Sequence, residues 1–242
     1  MASLLHVDSA ANTSDESITR RLTASFAAAW RDRHGPAAHR YRDLAAAPVP
    51  PLTTAFAELG RRVERHGLLP LDRVPELIES PAERREWELT EPLISEMRSA
   101  DVVLIGAPMY NFSIPAALKA WIDRMTFPGA FGGPGSAQRP LHDTKVVVIM
   151  ARGGAYGPGT PREGWDFQTP YLRTYFTEHG VREENLFFVA AELTVADFIP
   201  QLAALRPAAA GSLAAAEAEV TALAGRLIDP VPVHPPSPVP GG

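Results

Sequence analysis

The sequence predicts an α/β fold in which a five-stranded parallel sheet is covered by helices on both faces. Apolar runs of strand length alternate with helical patterns five times along the chain, which is typical of strand–helix–strand units. The strongest runs are apolar at nearly every position, as expected for strands buried on both faces. With 242 residues, 45% of them hydrophobic and 21% charged, the chain fits one globular domain whose core is large enough to be stable without disulfide cross-links.

The first half of the chain supplies two strands and then a mostly helical region. Residues 4–7 form the first strand, and apolar residues at helical spacing predict a helix over 18–30. Residues 39–44 form a short second strand. Residues 53–99 are helical with interruptions, and Pro92 predicts a kink or a division into two helices.

The second half supplies three more strands, at 102–106, 145–150 and 185–190, each followed by a helix, at 115–125, 171–179 and 204–227. The long Gly- and Pro-rich segment 128–140 is typical of a lid or a binding loop. We assign residues 1–228 to one domain. Residues 229–242 hold six of the chain's 24 prolines and are expected to form a flexible tail.

Bulk properties exclude several classes of function. The chain has no cysteine, so disulfides, thiolate catalysis and Cys-ligated metal sites are excluded, and the seven histidines show no metal-ligand spacing. A net charge of −5 indicates no nucleic-acid partner. No apolar run is long enough for a membrane span and the first residues do not resemble a signal peptide, so a cytoplasmic protein is expected.

Three loops follow strands whose carboxyl ends meet at one edge of the sheet: residues 9–17, 109–112 and 151–154. Open α/β sheets bind ligands at this edge, where the strand order reverses. In the first loop, the hydroxyls of Ser9 and Ser17 precede a helix start, where free N–H groups favour an anion. Serines are also ordinary helix caps, and an acid such as Glu16 would repel a phosphate.

The other two loops suit a flat heteroaromatic ligand. Residues 109–112 combine a thioether, two aromatic rings and an amide, which offer stacking faces and an edge hydrogen bond. In the third loop, Arg152 offers a cation, while Gly153 and Gly154 allow the backbone to approach a ligand closely. The alternatives are aromatic residues that fill the core and a simple turn after the fourth strand.

Four motifs occur in order along residues 3–200. They are Ser9 with Ser17, Pro108-Met109-Tyr110-Asn111-Phe112, Ala151-Arg152-Gly153-Gly154 and Thr169-Pro170-Tyr171-Leu172. This series resembles the FMN-dependent NAD(P)H:quinone/azo oxidoreductases, the azoreductase family of flavodoxin-like proteins. The family pattern is a Ser-containing first loop, Pro-Met-Tyr-Asn-Phe, Ser-Arg-Gly-Gly and a Thr-Pro-Tyr-Leu segment.

The resemblance implies a flavodoxin-like three-layer sandwich that binds FMN non-covalently, takes NAD(P)H as co-substrate and forms a homodimer with the active site near the subunit interface. The implied reaction is ping-pong hydride transfer to a quinone, an azo compound or a related conjugated acceptor. No catalytic side chain is expected, because the flavin carries the hydride chemistry. The candidate FMN-binding residues are Ser9, Glu16, Ser17, Pro108, Met109, Tyr110, Asn111, Phe112, Ala151, Arg152, Gly153 and Gly154.

The chain departs from the family pattern in three places. Ala151 stands where the family has a serine, and Asp15 stands where it usually has a hydroxyl residue. Phe131-Gly132-Gly133 stands where the family has Phe-x-Tyr. Because the tyrosine is missing, we expect an acceptor pocket wider than in typical azoreductases.

Three other functions stay open at this point. They are a pathway-specific flavoenzyme acting on a bulkier substrate, a flavodoxin-type electron carrier, and an interaction protein whose Pro-rich tail binds aromatic grooves. The chain lacks the Thr/Ser-rich phosphate loop and the strong surface acidity typical of flavodoxins. The tail has no neighbouring Arg or Lys, which disfavours the interaction protein.

Overall fold

A five-stranded, all-parallel sheet forms the centre of the molecule. The computed structural model describes residues 2–14, 16–67, 69–132 and 139–228. The strands are β1 (Leu4–Asp8), β2 (His39–Asp43), β3 (Val102–Pro108), β4 (Lys145–Ala151) and β5 (Leu186–Ala191). Their order across the sheet is β2-β1-β3-β4-β5. The predicted fold class and the five strands are confirmed.

Six α-helices cover the two faces of this sheet. They are α1 (Ile18–His34), α2 (Thr54–Arg65), α3 (Pro81–Arg98), α4 (Ala116–Met125), α5 (Gln168–Glu178) and α6 (Arg206–Ile228). Side chains of α1 and α6 form one core with Leu104 and its neighbours on the same face of the sheet. Side chains of α2 to α5 form a second core with Ile105 and the opposite face. Alternation along β3 therefore divides its apolar residues between two cores, which explains why the strand is apolar throughout.

A single helix, α3, runs through Pro92, so of the two predicted alternatives the division into two helices is wrong. Its start is well defined: Ser80 Oγ accepts a hydrogen bond from the N–H of Glu83 at 3.2 Å, and Pro81 occupies the first helical position. Proline at position 92 removes one main-chain donor. Leu93 and Ile94, which follow the proline, are both buried, and their packing keeps the second half of the helix against the core.

Some observed boundaries differ from the predicted ones by a few residues, and α1, for example, ends at His34 rather than at 30. Strands β3 and β4 continue to Pro108 and Ala151, beyond the predicted ends at 106 and 150, and α5 begins at Gln168, three residues early. Within the described parts of the chain, no helix is long and apolar enough to cross a membrane. The tail at 229–242, Asp15 and Gly133 lie outside the described residues.

Candidate active site

The carboxyl ends of β1, β3 and β4 bring the three predicted loops together. From β1 the chain crosses to β2 on one side, whereas β3 leads to β4 on the other, so the strand order reverses between β1 and β3. The N–H and the hydroxyl of Ser9 both donate to the carbonyl oxygen of Gly106, at 3.0 and 2.7 Å. The N–H of Met109 donates to the carbonyl oxygen of Ala151 at 2.9 Å. These bonds join the first loop to β3 and the second loop to the third.

The first loop leaves the N-terminus of α1 available to an anion. Ser17 is the N-cap residue, but its side chain makes no capping hydrogen bond, and the first turn of α1 contains no acidic residue. Its hydroxyl lies 3.3 Å from that of Thr19. Glu16 is exposed and precedes the helix, and its N–H donates to Ser14 Oγ at 3.3 Å. An uncapped helix N-terminus beside a serine hydroxyl fits a phosphate group.

The second loop holds an unusual backbone conformation. Asn111 and Phe112 have φ values of 50° and 72°, in the left-handed region that side chains other than glycine rarely adopt. Such conformations cost about 1–3 kcal/mol each and are concentrated at ligand sites. Reciprocal main-chain hydrogen bonds between Tyr110 and Ser113, at 3.0 and 3.1 Å, close the turn.

Side chains of this loop point toward solvent rather than into the core. Tyr110 and Phe112 are 39% and 38% exposed, and Asn111 is exposed between them. The hydroxyl of Tyr110 also accepts a hydrogen bond from the N–H of Ala11 at 3.2 Å, which spans the first two loops. The alternative in which these aromatic residues fill the core is therefore wrong. Two exposed rings and an amide on a turn of fixed shape fit a flat heteroaromatic ligand.

Arg152 is buried, and its guanidinium is engaged by protein groups. Its Nη2 donates to Asp166 Oδ2 at 2.8 Å and to Thr169 Oγ1 at 2.6 Å, while Nη1 donates to Glu192 Oε1 at 3.3 Å. The carboxylates of Asp166 and Glu192 thus compensate the positive charge of Arg152. This arrangement favours a positioning role for the Arg152 side chain over direct contact with a ring edge, and it leaves the main chain of the third loop as the part that could meet a ligand.

Neighbouring side chains leave little room for a Cβ atom at the two glycines of the third loop. A Cβ atom at Gly153 would lie 3.1 Å from Cγ1 of Val195, and one at Gly154 would lie 2.6 Å from Nη1 of Arg162. Ala151, the last residue of β4, is partly exposed at the edge of the site. The glycines therefore allow the segments 155–167 and 192–199 to close against this loop.

The segment 155–167, between β4 and α5, supplies site residues that the sequence analysis missed. Trp165 packs edge-on against Phe112 with ring centroids 5.6 Å apart and planes at 88°. The N–H of Phe167 donates to the carbonyl oxygen of Phe112 at 3.1 Å. Trp165 and Phe167 are 52% and 59% exposed, so both rings line the approach to the loops. A segment of this length without helical or strand periodicity was itself a sign of a binding loop.

Asp166 connects this segment to Arg152 and to α5. Its Oδ1 accepts from the N–H groups of Gln168 and Thr169, at 2.9 and 3.0 Å. Burial alone raises the pKa of the Asp166 carboxyl, but the hydrogen bonds from Thr169 and Gln168 and the charge of Arg152 outweigh it and hold the pKa below its usual value. The carboxylate therefore stays charged at neutral pH and keeps the segment in place.

Two buried polar atoms beside the site have no hydrogen-bond partner within the described chain, Nε of Arg152 and Oε1 of Gln168. Buried polar atoms are nearly always paired. The uncapped helix, the exposed aromatic loop and these unpaired atoms are features of the kinds that a phosphate-bearing heteroaromatic cofactor such as FMN would engage. The described residues contain no cluster of side chains that could hold a metal ion.

Comparison with curated proteins identifies close relatives. A protein of Nocardia farcinica (strain IFM 10152) named FMN-dependent NADH:quinone oxidoreductase is 44% identical over 206 residues, which cover 85% of this chain and 90% of that protein. A protein of the same name from Streptomyces avermitilis is 38% identical over 229 residues, which cover 95% of this chain and 98% of that protein.

The fold has counterparts among solved structures. An FMN-dependent NADH-azoreductase from Bacillus anthracis, in complex with FMN, matches 95% of this chain and 100% of its own with a TM-score of 0.72 at 20% identity. This likeness concerns the fold alone and confirms the flavodoxin-like architecture. Residues 2–209 match the family described as having a flavodoxin-like fold. The chain belongs to the flavodoxin-like family and, within it, to the FMN-dependent NADH:quinone oxidoreductases.

Proposed function

We propose that this protein uses bound FMN to transfer a hydride from NAD(P)H to quinones, azo compounds or related conjugated acceptors. The proposal rests on one crevice whose two ends suit different parts of a ligand. At one end lies the uncapped N-terminus of α1, and at the other lies the turn of Asn111 and Phe112 with positive φ angles. A phosphate-bearing heteroaromatic ligand needs both ends at once.

Different residues of the crevice bind the phosphate and the ring of FMN. The N–H groups at the start of α1 and the hydroxyl of Ser17 hold the phosphate, while the amide of Asn111 hydrogen-bonds the edge of the ring. Met109 and Tyr110 provide apolar surface for one face. When bound there, FMN supplies the acceptor and donor of the hydride, so no side chain has to act as nucleophile or acid.

The acceptor meets an aromatic wall made by Phe112, Trp165 and Phe167. Phe131 is buried, and Gly132, with a φ of 92°, has no side chain. Neither residue therefore presents a ring at the mouth of the site. Trp165 and Phe167 are well exposed beside Phe112 and offer flat surface to a conjugated acceptor. The wall on this side compensates for the missing family tyrosine.

We further propose a homodimer that closes this open site. Trp165, Phe167 and Phe198 are 52%, 59% and 69% exposed, and all three lie on segments that meet at the third loop. Burial of such rings against a second copy is favourable, at roughly 25 cal/mol for each Å² of apolar surface. Because the reaction consumes a reduced nicotinamide, we place it in the cytoplasm, where that co-substrate is regenerated.

The test is the reductase activity of the purified protein with and without FMN. Protein reconstituted with FMN should oxidise NADH at a rate that depends on added benzoquinone, whereas FMN-free protein should not. Asn111→Ala protein should need more FMN for half-maximal activity. Equal quinone reduction with and without FMN would refute the proposal.

A further inference from the structure

Arg20 stands where the helix dipole disfavours a positive charge. It is the third residue of α1, and the first turn of a helix favours acidic side chains because the helix N-terminus carries a partial positive charge. The side chain of Arg20 is nevertheless only 12% exposed, so it gives up most of its contact with water. A cation that breaks a local rule and is desolvated is expected to serve the structure around it.

Every N–H group of the Arg20 guanidinium has an acceptor. Nη1 and Nη2 donate to the two carboxylate oxygens of Asp43, both at 2.8 Å, and Nη1 also donates to the hydroxyl of Tyr41 at 3.0 Å. The remaining bonds go to main-chain carbonyl oxygens of the first loop, from Nη2 to Ala10 at 2.9 Å and from Nε to Asn12 at 3.0 Å. An arginine has five N–H groups, and these five bonds use all of them.

Asp43 holds the guanidinium from the side of β2. It is the last residue of that strand, and its Oδ1 also accepts from the N–H groups of Ala45 and Ala46, at 2.9 and 3.3 Å. The hydrogen bonds from Arg20 are the main cause that holds the pKa of the Asp43 carboxyl below its usual value, so the carboxylate stays charged at neutral pH. A charge-assisted pair of this kind ties the first loop firmly to the end of β2.

The bond from Arg20 to Ala10 fixes the direction of one peptide group. In a trans peptide the C=O of one residue and the N–H of the next point in opposite directions, and the described chain contains no cis peptide bond. Because the carbonyl of Ala10 points to Arg20, the N–H of Ala11 points away from it. That N–H donates to the hydroxyl of Tyr110 in the second loop at 3.2 Å, so the side away from Arg20 is the side of the second loop.

The bond from Arg20 to Asn12 fixes a second peptide group in the same sense. The carbonyl of Asn12 points to the guanidinium, so the N–H of Thr13 is likewise directed away from it. The side chain of Asn12 braces this part of the loop, because its Oδ1 accepts from the N–H of Ser14 at 2.9 Å. The first loop thus turns two carbonyl oxygens to Arg20 and two N–H groups to the opposite side.

This orientation matters because the loop leads into a helix end that suits an anion. The first main-chain hydrogen bond of α1 runs from the N–H of Arg21 to the carbonyl oxygen of Ser17 at 3.0 Å, so the N–H groups of Ile18 and Thr19 have no acceptor inside the helix. N–H groups stabilise a phosphate there, whereas carbonyl oxygens repel it. Arg20 engages the two carbonyl oxygens that could otherwise turn toward the anion.

We propose that Arg20 is a positioning residue for the phosphate of FMN, because its bonds to the carbonyl oxygens of Ala10 and Asn12 keep the N–H side of the first loop turned to that phosphate. The inference rests on the proposed binding of FMN. Arg20 does not need to touch the phosphate, since all of its N–H groups are used within the protein. Its loss should therefore impair recognition of the phosphate and spare the site of the flavin ring.

Equilibrium titrations with FMN and with riboflavin test the proposal, because riboflavin carries the same ring without the phosphate. Arg20→Gln should weaken FMN binding by about tenfold or more, and riboflavin binding by less than about twofold. Arg20→Lys keeps the positive charge, but its single nitrogen cannot reach Asp43 and both carbonyl oxygens at once, so it should lose most of the preference for FMN as well. Full FMN affinity in Arg20→Lys would mean that charge alone matters and would overturn the positioning role.

Arg42→Gln is the matched control. Arg42 lies on β2 with a side chain 22% exposed, and within the described chain its side-chain hydrogen bonds go to Glu96 of α3, the shortest at 2.7 Å. Its replacement removes a comparable ion pair without touching the first loop, and both flavin affinities should stay unchanged. Equal losses of FMN and riboflavin binding in Arg20→Gln, or a loss of FMN binding as large in Arg42→Gln, would overturn the proposal.

The unaltered protein separates failure of this inference from failure of the proposed function. Wild-type protein that binds neither flavin would refute both. Wild-type protein that prefers FMN, together with Arg20 variants that keep this preference, would overturn the positioning role alone and leave FMN binding intact.

Arginine side-chain NMR of the unaltered protein provides a readout that needs no variant. The Nε–H of Arg20 should exchange slowly with water before and after FMN is added, because its bond to Asn12 is present without the ligand. The side chain of the neighbouring Arg21 is exposed, and its Nε–H should exchange fast. An Arg20 Nε–H that exchanges as fast as that of Arg21 would also overturn the proposal.

Discussion

The N–H of Phe167 donates a hydrogen bond of 3.1 Å to the carbonyl oxygen of Phe112, and this bond fastens the segment before α5 to the loop after β3. It joins the wall of the site to the loop whose backbone has positive φ angles. Trp165, two residues earlier, packs on the ring of Phe112 from the same side. The shape of the acceptor wall and the conformation of the second loop are therefore held by one set of contacts.

Replacement of Trp165 by Ala should weaken the use of planar acceptors. An aromatic contact is worth about 0.5–1.5 kcal/mol, so kcat/KM for a polycyclic quinone should fall by about two- to twelvefold. FMN affinity should change less than kcat/KM, because the main-chain hydrogen bonds that shape the second loop stay in place. The control is Leu89→Ala on α3, a side chain of similar exposure, 44%, away from the site. Equal kcat/KM in wild type and Trp165→Ala would show that this ring does not meet the acceptor.

Loss of the Asp166 carboxylate should destabilise the protein more than loss of an exposed one. Asp166→Ala removes both the partner of the buried Arg152 and the acceptor for two N–H groups of α5, and a loss of roughly 2–4 kcal/mol in unfolding free energy is expected. Asp166→Asn keeps an oxygen acceptor and should lose less. Urea unfolding gives the measurement.

Asp197→Asn is the matched control for this pair. Asp197 is 73% exposed at its side chain and faces Arg206 at 3.8 Å, so its replacement should change the unfolding free energy by less than about 1 kcal/mol. If Asp166→Ala proved no more destabilising than this control, the positioning role of the Arg152–Asp166 pair would be refuted.

Two replacements of Asn111 separate its amide from its backbone conformation. Asn111→Ala and Asn111→Gly both remove the hydrogen bond proposed between the Asn111 amide and the flavin ring, and a net loss of about 0.5–1.5 kcal/mol corresponds to roughly two- to twelvefold weaker FMN binding. Glycine adopts the observed φ of 50° without strain, whereas alanine does not. Equilibrium titration should show weaker FMN binding in both variants, and Asn111→Ala should bind FMN more weakly than Asn111→Gly. Weakening in Ala alone would mean that the turn matters and the amide does not.

The stability of the protein should fall in weak acid because of His39. Burial lowers the pKa of His39 most, and electrostatic interaction with His6 and Arg31 lowers it further, to about 4 from 6.5. As pH falls, the unfolded chain therefore takes up this proton before the folded protein does. The stabilising contribution is complete above about pH 6.5 and is lost between about pH 6.5 and 4.

His39→Gln removes this titration. Unfolding free energies measured at several pH values should show a shallower decline in the variant than in wild type between about pH 6.5 and 4, with the difference between the two proteins constant above that range. Parallel curves in both proteins would contradict the lowered pKa.

Much of the fold could be read from the sequence because its signals are local. The runs around Val103 and Val147 are buried on both faces, and a parallel strand of this kind needs no distant information to be recognised. Pro92 did not divide the helix, because tertiary packing of α3 outweighed the loss of one main-chain donor. A local rule could not predict this, because the packing partners of α3 are distant in the sequence.

The candidate site was predictable in its loops but not in its contacts. The convergence of the first and second loops follows from parallel strand order, so Ser9 and Tyr110 could be placed together. The engagement of Arg152 by Asp166 and Glu192 could not, because those partners come from segments without periodicity whose path only the folded chain defines.

An anaerobic experiment that separates the two half-reactions tests the central claim most directly. Protein loaded with FMN is mixed with one equivalent of NADH while the visible absorption of the bound flavin is followed, and a quinone is added after the first change is complete. NADH should bleach the flavin absorption, the quinone should restore it, and neither step should be slower than steady-state turnover. Flavin that NADH does not bleach, or that the quinone does not restore, would refute FMN-dependent hydride transfer by this protein.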